Sequence, residues 1–147
     1  KLFKLKNRED QKTMICLVSD FNMLNFYVEE IPEAAYSILE YATTPTTIIY
    51  DQPLRVTENL IAPDNTLAIR MVKEGFCADL LKRFKKPIVS TSANLSGKPT
   101  PKSFQEIEDY ILKGVDYVVN LERTNKSSKP SSIIKLSNNG EVKVIRK

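Results

Sequence analysis

The side chains best suited to chemistry gather in KPIVSTSANLSGKPTPKSF, where the apolar run Pro87–Val89 gives way to Ser90, Thr91, Ser92 and Asn94. Hydroxyls and amides at the end of a buried strand can hold a phosphate or carboxylate by hydrogen bonds, in the region where open sheets bind ligands. Gly97 in the same stretch allows close backbone approach. A Ser/Thr-rich turn is also an ordinary turn, so this stretch alone decides nothing. Other groups narrow the choice. KNREDQK places Lys6, Arg8 and Lys12 just before a strand, and NTLAIRM puts Arg70 inside an otherwise apolar one. An unpaired charge is costly to bury there, so Arg70 needs an anion. KPSSIIKL is a second Pro-Ser-Ser turn entering a strand, with Ser131 in it, and Arg146 stands next to last. The chain has no histidine. His-based acid/base catalysis, the usual triads and most zinc sites are therefore excluded.

The 147 residues amount to about one domain with room for a sizeable core. No apolar stretch approaches the roughly 20 residues that span a bilayer, and KLFKLKNRED lacks the apolar run of a signal peptide. Cys16 and Cys77 have neither framework nor metal spacing and read as buried free thiols of a cytoplasmic protein. The net charge of +4 is unevenly spread: residues 1–12 carry +3, residues 13–66 carry −7 and residues 67–147 carry +8. Such asymmetry fits a face that meets nucleotide phosphates or nucleic acid, and fits solvated surface as well.

Alternating elements must position these groups. KLFKLK reads as the last turns of a helix, and TMICLVS (13–19) as a buried strand. PEAAYSILEY (32–41) opens a helix on proline. TTIIY (46–50) and LAIRM (67–71) are strands around a polar loop. In KEGFCADLLKRF, Phe76, Leu80 and Phe84 recur at helical spacing. PIVST is the next strand. Ser103 and Glu106 form a capping box that opens the helix SFQEIEDYILK, and VDYVV (115–119) is a strand. After a polar loop over 120–131, SIIKL and EVKVIR flank Asn139-Gly140, a hairpin signal. The fold class is α/β with mixed strand order.

Taken in order, these segments resemble the YrdC/TsaC family of threonylcarbamoyl-AMP synthases. LKNREDQK is similar to the family's K-x-R, TPTTII to its G-P-x-T strand, and NTLAIR to its T-x-A-x-R. STSANLSGKPT is similar to the S-x-N signature, PSSIIKL to P-S-T-I-V-D-L, and VKVIRK to the terminal strand with its arginine. Essentially all of the chain is covered. Family members begin with a strand bearing P-T-[DE]-T-x-[YW]-G and a helix running into K-x-R. By that comparison residues 1–147 form a single YrdC-like domain that is N-terminally incomplete. Thr44 replaces the glycine of Gly-Pro, Ser132 replaces the threonine of P-S-T, and Leu17 stands where some relatives have histidine.

The resemblance implies a twisted mixed sheet with flanking helices and a concave basic face. It implies a nucleotidyltransferase, an L-threonylcarbamoyladenylate synthase acting on L-threonine, bicarbonate or CO₂, and ATP, with Mg²⁺ carried by the nucleotide. Lys6, Arg8, Ser92 and Asn94 would be catalytic. Arg8, Lys12, Thr66, Ser92, Thr100 and Arg146 would contact ATP, and Arg70, Ser90 and Ser131 would hold threonine. No protein-bound metal is expected. The product would feed tRNA threonylcarbamoyladenosine through downstream threonylcarbamoyl-transferase proteins, in the cytoplasm and away from membranes. Two other classes remain. One is a tRNA or double-stranded RNA binding module without catalysis, and the other is a carbamoyl-handling domain of a larger maturation enzyme.

Overall fold

In the computed structural model, which describes residues 1–6, 14–121, 123–125 and 130–147, strands β1 (Ile15–Val18), β2 (Thr46–Asp51), β3 (Thr66–Met71), β4 (Ile88–Ser90), β5 (Ser132–Leu136) and β6 (Val142–Arg146) form one sheet. Their order is β4-β1-β3-β2-β5-β6. β1 runs parallel to β3 and β2 to β5, whereas β1/β4, β2/β3 and β5/β6 are antiparallel. Parallel neighbours need long crossovers. Helices α2 (Phe21–Tyr27), α3 (Glu33–Tyr41) and α4 (Gly75–Phe84) lie in the connections, after α1 (Leu2–Leu5) at the start of the chain. The hairpin expected at Asn139-Gly140 joins β5 to β6, with Gly140 at φ +88°.

Two compact units are present: Lys1–Lys12 with Thr91–Lys129, and Thr13–Ser90 with Pro130–Lys147. The sheet belongs to the second. Strand alternation sends Cys16, Val18, Ile48, Tyr50, Leu67, Ile69 and Leu136 to one face, where Leu24, Val28, Ala35 and Leu39 from α2, α3 and their flanks cover them. On the opposite face Leu17 packs with Val72 and with Ala78 and Leu81 of α4. Helix α2 was not legible in the sequence beforehand. Asp20 caps it, accepting the Met23 N–H at 2.8 Å, and the Ser19 hydroxyl at 2.7 Å does most to lower the Asp20 pKa.

The helix read from the spacing of Phe76, Leu80 and Phe84 forms as α4, with that stripe exposed (45, 40 and 54%) and Ala78 and Leu81 buried. Periodicity marks an apolar face, but a small residue such as Ala78 lets the helix come closer to the sheet. Three expectations are corrected. The helix expected over 103–113 is a short 3-10 turn (Phe104–Glu106) followed by α5 (Asp109–Gly114), because Ile107 and Glu108 are extended (ψ 125° and 138°). Ser103 makes no capping bond, and Glu106 accepts the N–H of Lys102 at 2.8 Å rather than that of Ser103, so the capping box does not form. No strand forms over 115–119 among the described residues. There Tyr117 and Val119 are exposed, and Asp116 pairs with Lys1. Finally, Cys77 is exposed and only Cys16 is buried.

The cysteines give a simple check. Burial pushes the Cys16 thiol up to about 11, so it stays protonated and covered near pH 8. An alkylating reagent should label the native protein on Cys77 alone and reach Cys16 only on unfolding. Fast labelling of both thiols in the native state would contradict this packing.

In the first unit, Leu5 of α1 lies against Gly114 at the end of α5. A Cβ on Gly114 would sit 2.1 Å from Leu5 Cδ1, so a larger residue there would force the Leu5 side chain to move. Lys98 and Glu108 pair at 2.8 Å, and the Arg123 guanidinium lies 4.7 Å from the Phe104 ring centre. Among the described residues no helix is long and apolar enough to cross a membrane.

Candidate functional site

Alternation along β3 sends Leu67 and Ile69 into the core and leaves Ala68 and Arg70 on the other face. Arg70 is partly buried there, and among the described residues no carboxylate comes within ion-pair distance of it. It lines a cavity of about 190 Å³ together with Thr43, Thr44, Pro45, Thr46, Lys73 and Glu74. A partly desolvated guanidinium without a protein anion is suited to a carboxylate ligand, which its planar fork can hold through two parallel bonds.

Thr47 faces Arg70 across the β2/β3 ladder. Its Oγ1 lies 2.8 Å from Ser131 Oγ, and both residues are buried (0 and 5% exposed). The Arg146 guanidinium donates to the Ser131 carbonyl through Nε at 2.9 Å and Nη2 at 2.7 Å, and Nη2 also lies 3.4 Å from Ser131 Oγ. The Ser132 N–H donates to the Pro45 carbonyl at 2.9 Å, which locks the Pro-Ser-Ser turn to the start of β2. Arg70, Ser131 and Arg146 are thus gathered around Thr47. Thr47 lies in TPTTII but was not singled out from the sequence. Its signal is a hydroxyl in the strand TTIIY, facing the same side as Arg70.

Ser90 ends β4 opposite Ile15, which in turn pairs with Ala68, so Ser90 lies on the face that presents Arg70. Thr66 opens β3 and is buried, donating to Asp64 Oδ1 at 2.7 Å. Asp64 also receives Lys135 at 2.8 Å. The Lys135 ammonium, then the Thr66 hydroxyl, hold the Asp64 carboxyl below its ordinary range, and Asp64 raises Lys135 in return. The Thr66 proton is therefore used within the chain.

The first unit holds a second cluster. Lys6 follows α1, with its N–H on the Leu2 carbonyl at 2.9 Å and its own carbonyl accepting the Ser96 N–H at 2.9 Å. Its ammonium donates to the Ser92 carbonyl and lies 3.5 Å from both Ser92 Oγ and Asn94 Oδ1. The Asn94 amide donates to the carbonyls of Lys98 (2.6 Å) and Leu95 (3.1 Å), fixing which way its oxygen points. Gly97, at φ +84°, makes the turn closed by the Lys98 N–H on the Leu95 carbonyl. A helix-end lysine would ordinarily be solvated, but Lys6 is only 4% exposed because the Ser92–Ser96 loop wraps its stem and head. Thr100 is exposed in the same unit. Arg8 and Lys12 lie outside the described residues. Chemically, Lys6 after α1 and Ser92 and Asn94 in the loop present an ammonium, a hydroxyl and an amide close together. Such a set can stabilise charge on a phosphate or carbamate without acting as a base.

A family model for the Sua5/YciO/YrdC group, described as telomere recombination, matches residues 1–147. A relative from Methanocaldococcus jannaschii is 34% identical over 136 residues, covering 92% of this chain and 63% of that protein. A protein of Idiomarina loihiensis named threonylcarbamoyl-AMP synthase is 29% identical over 142 residues, covering 95% of this chain and 76% of that protein. Among solved structures, Sua5 of P. abyssi superposes with a TM-score of 0.85 at 23% identity, over 99% of this chain and 44% of that one. The chain therefore spans somewhat under two thirds of the M. jannaschii protein and about three quarters of the I. loihiensis one.

Proposed function

This chain belongs to the Sua5/YciO/YrdC family, and we propose that it acts as a threonylcarbamoyl-AMP synthase, joining L-threonine, bicarbonate or CO₂, and ATP. The observation that carries the reading is Arg70, a partly buried guanidinium with no carboxylate partner among the described residues, standing beside the Thr47–Ser131 hydroxyl pair. That arrangement suits an amino-acid carboxylate. Ser90 and Ser131 supply hydrogen bonds around it.

In the proposed reaction the threonine nitrogen takes up CO₂ and loses a proton to become a carbamate. A carbamate oxygen attacks the α-phosphorus of ATP, the bond to the bridging oxygen breaks, and pyrophosphate leaves. No side chain needs to act as a strong base in the phosphoryl step, which suits a chain without histidine. Positioning and charge neutralisation carry the rate. Lys6, Ser92 and Asn94 act on the reacting phosphate and carbamate. Arg8, Lys12, Thr66, Thr100 and Arg146 contact the nucleotide. Thr66, whose proton is given to Asp64, does so as an acceptor, and Arg146 through the Nη1 that Ser131 leaves unused. Mg²⁺ carried with ATP would supply charge neutralisation for the pyrophosphate. The product serves tRNA modification in the cytoplasm through a separate threonylcarbamoyl transferase.

The test is pyrophosphate release by the purified full-length protein. Release should require threonine and bicarbonate together with ATP, and should fall to background when either is left out. Release that is indifferent to threonine would overturn the reading.

A further inference from the structure

The Thr47–Ser131 pair has a direction, and the direction follows from burial. A buried hydroxyl must place its proton on an acceptor. Thr47 is fully buried, and Ser131 Oγ at 2.8 Å is the acceptor it reaches among the described residues. If Ser131 were the donor, the Thr47 proton would be buried with nowhere to go. By distance either hydroxyl could donate, and the difference in exposure (Thr47 0%, Ser131 5%) favours Thr47 as the donor, because only Ser131 keeps an opening through which a ligand can take its proton. The Arg146 guanidinium, which can only donate, approaches the same oxygen at 3.4 Å. With Thr47 donating to it and only guanidinium hydrogens nearby, Ser131 Oγ has its own proton left to give. No other acceptor for it is present among the described residues.

We infer that Thr47 is a positioning residue that makes Ser131 an obligate hydrogen-bond donor toward the anion held by Arg70. Cross-strand partners on one face stand about 4.5–5.5 Å apart at Cβ, so Thr47 stands between the Arg70 strand and the Ser131 hydroxyl that it holds at 2.8 Å. The pair thereby selects a ligand with an acceptor oxygen at that point, as a carboxylate has, and disfavours an amide nitrogen or a methyl group there. This rests on the threonine site proposed above.

The experiment is calorimetric titration of L-threonine into the full-length protein and its variants. Thr47→Val keeps the shape and removes the donor, and should weaken threonine binding about five- to tenfold, the size of one hydrogen bond. Thr47→Ser should restore binding to near the wild-type value. If Thr47 acts through Ser131, the double variant Thr47→Val/Ser131→Ala should bind no worse than Ser131→Ala alone. ATP affinity should stay within about twofold throughout, which a general loss of packing would not allow. Thr47→Cys, a weaker donor of similar size, should show a smaller loss and serves if Thr47→Val proves unstable. Wild-type-like threonine binding by Thr47→Val or Thr47→Cys, or additive losses in the double variant, would overturn the inference while leaving the function intact. A wild-type protein that binds no threonine would overturn the function and this inference together.

Discussion

Arg70→Lys should raise the threonine concentration needed for half-maximal rate about 30- to 1000-fold while leaving ATP affinity nearly unchanged. Lysine keeps the charge, but its point ammonium cannot reproduce the two parallel bonds of a guanidinium to a carboxylate. Losing such a contact costs about 2–4 kcal/mol, which converts to that range at tenfold per 1.4 kcal/mol. The competing role for Arg70 is a brace between strands. The geometry argues against it, since no carboxylate among the described residues reaches Arg70, and Glu74 lines the same cavity without pairing with it. The two roles separate in one variant. A brace would lower the melting temperature and leave the threonine dependence alone, and that outcome would sink the carboxylate assignment.

Lys6→Met should lower kcat by about 10²- to 10³-fold, the usual effect of removing one preorganised electrostatic group. Methionine has similar length and suits a buried stem, so the fold should persist. It should not be unaffected, however. The Ser92 carbonyl loses its charged donor, and Ser92 Oγ and Asn94 Oδ1 lose a close ammonium. A stability loss of about 1–3 kcal/mol follows from leaving such groups unsatisfied. At about 2–4 °C per kcal/mol for a chain of this size, the melting temperature should drop by several degrees. From sequence, Lys6 stands at the end of a helix, where a lysine is ordinarily solvated. Its burial under the Ser92–Ser96 loop adds the structural cost. Turnover within tenfold of the wild-type rate would remove Lys6 from the reacting centre.

Much of this was legible in the residues, for physical reasons that differ between elements. Strands β2, β3 and β5 could be read because β-branched and apolar residues alternate within short spans bounded by turn residues, and Asn139-Gly140 announced the final hairpin. Arg70 could be read because a charge inside such a run is costly unless it is used. Segment 115–119 has the composition of a strand, yet a strand needs a partner edge, and composition cannot show whether one is present. Spacing alone marks α4 as a helix but does not say which face is buried: Phe76, Leu80 and Phe84 form the more apolar stripe, whereas closeness of approach favours Ala78 and Leu81. Thr47 went unseen because one hydroxyl in TTIIYD resembles ordinary β-propensity. Its meaning depends on Ser131, which is 84 residues away in sequence.

The most direct measurement supplies ¹³C-labelled bicarbonate, L-threonine and ATP to the full-length protein and follows the product by mass spectrometry. Formation of threonylcarbamoyl-AMP carrying a single heavy carbon, in step with pyrophosphate, is the expected result. Conversion of ATP to AMP and pyrophosphate with no labelled adduct, or an adduct formed at the same rate without threonine, would contradict the account.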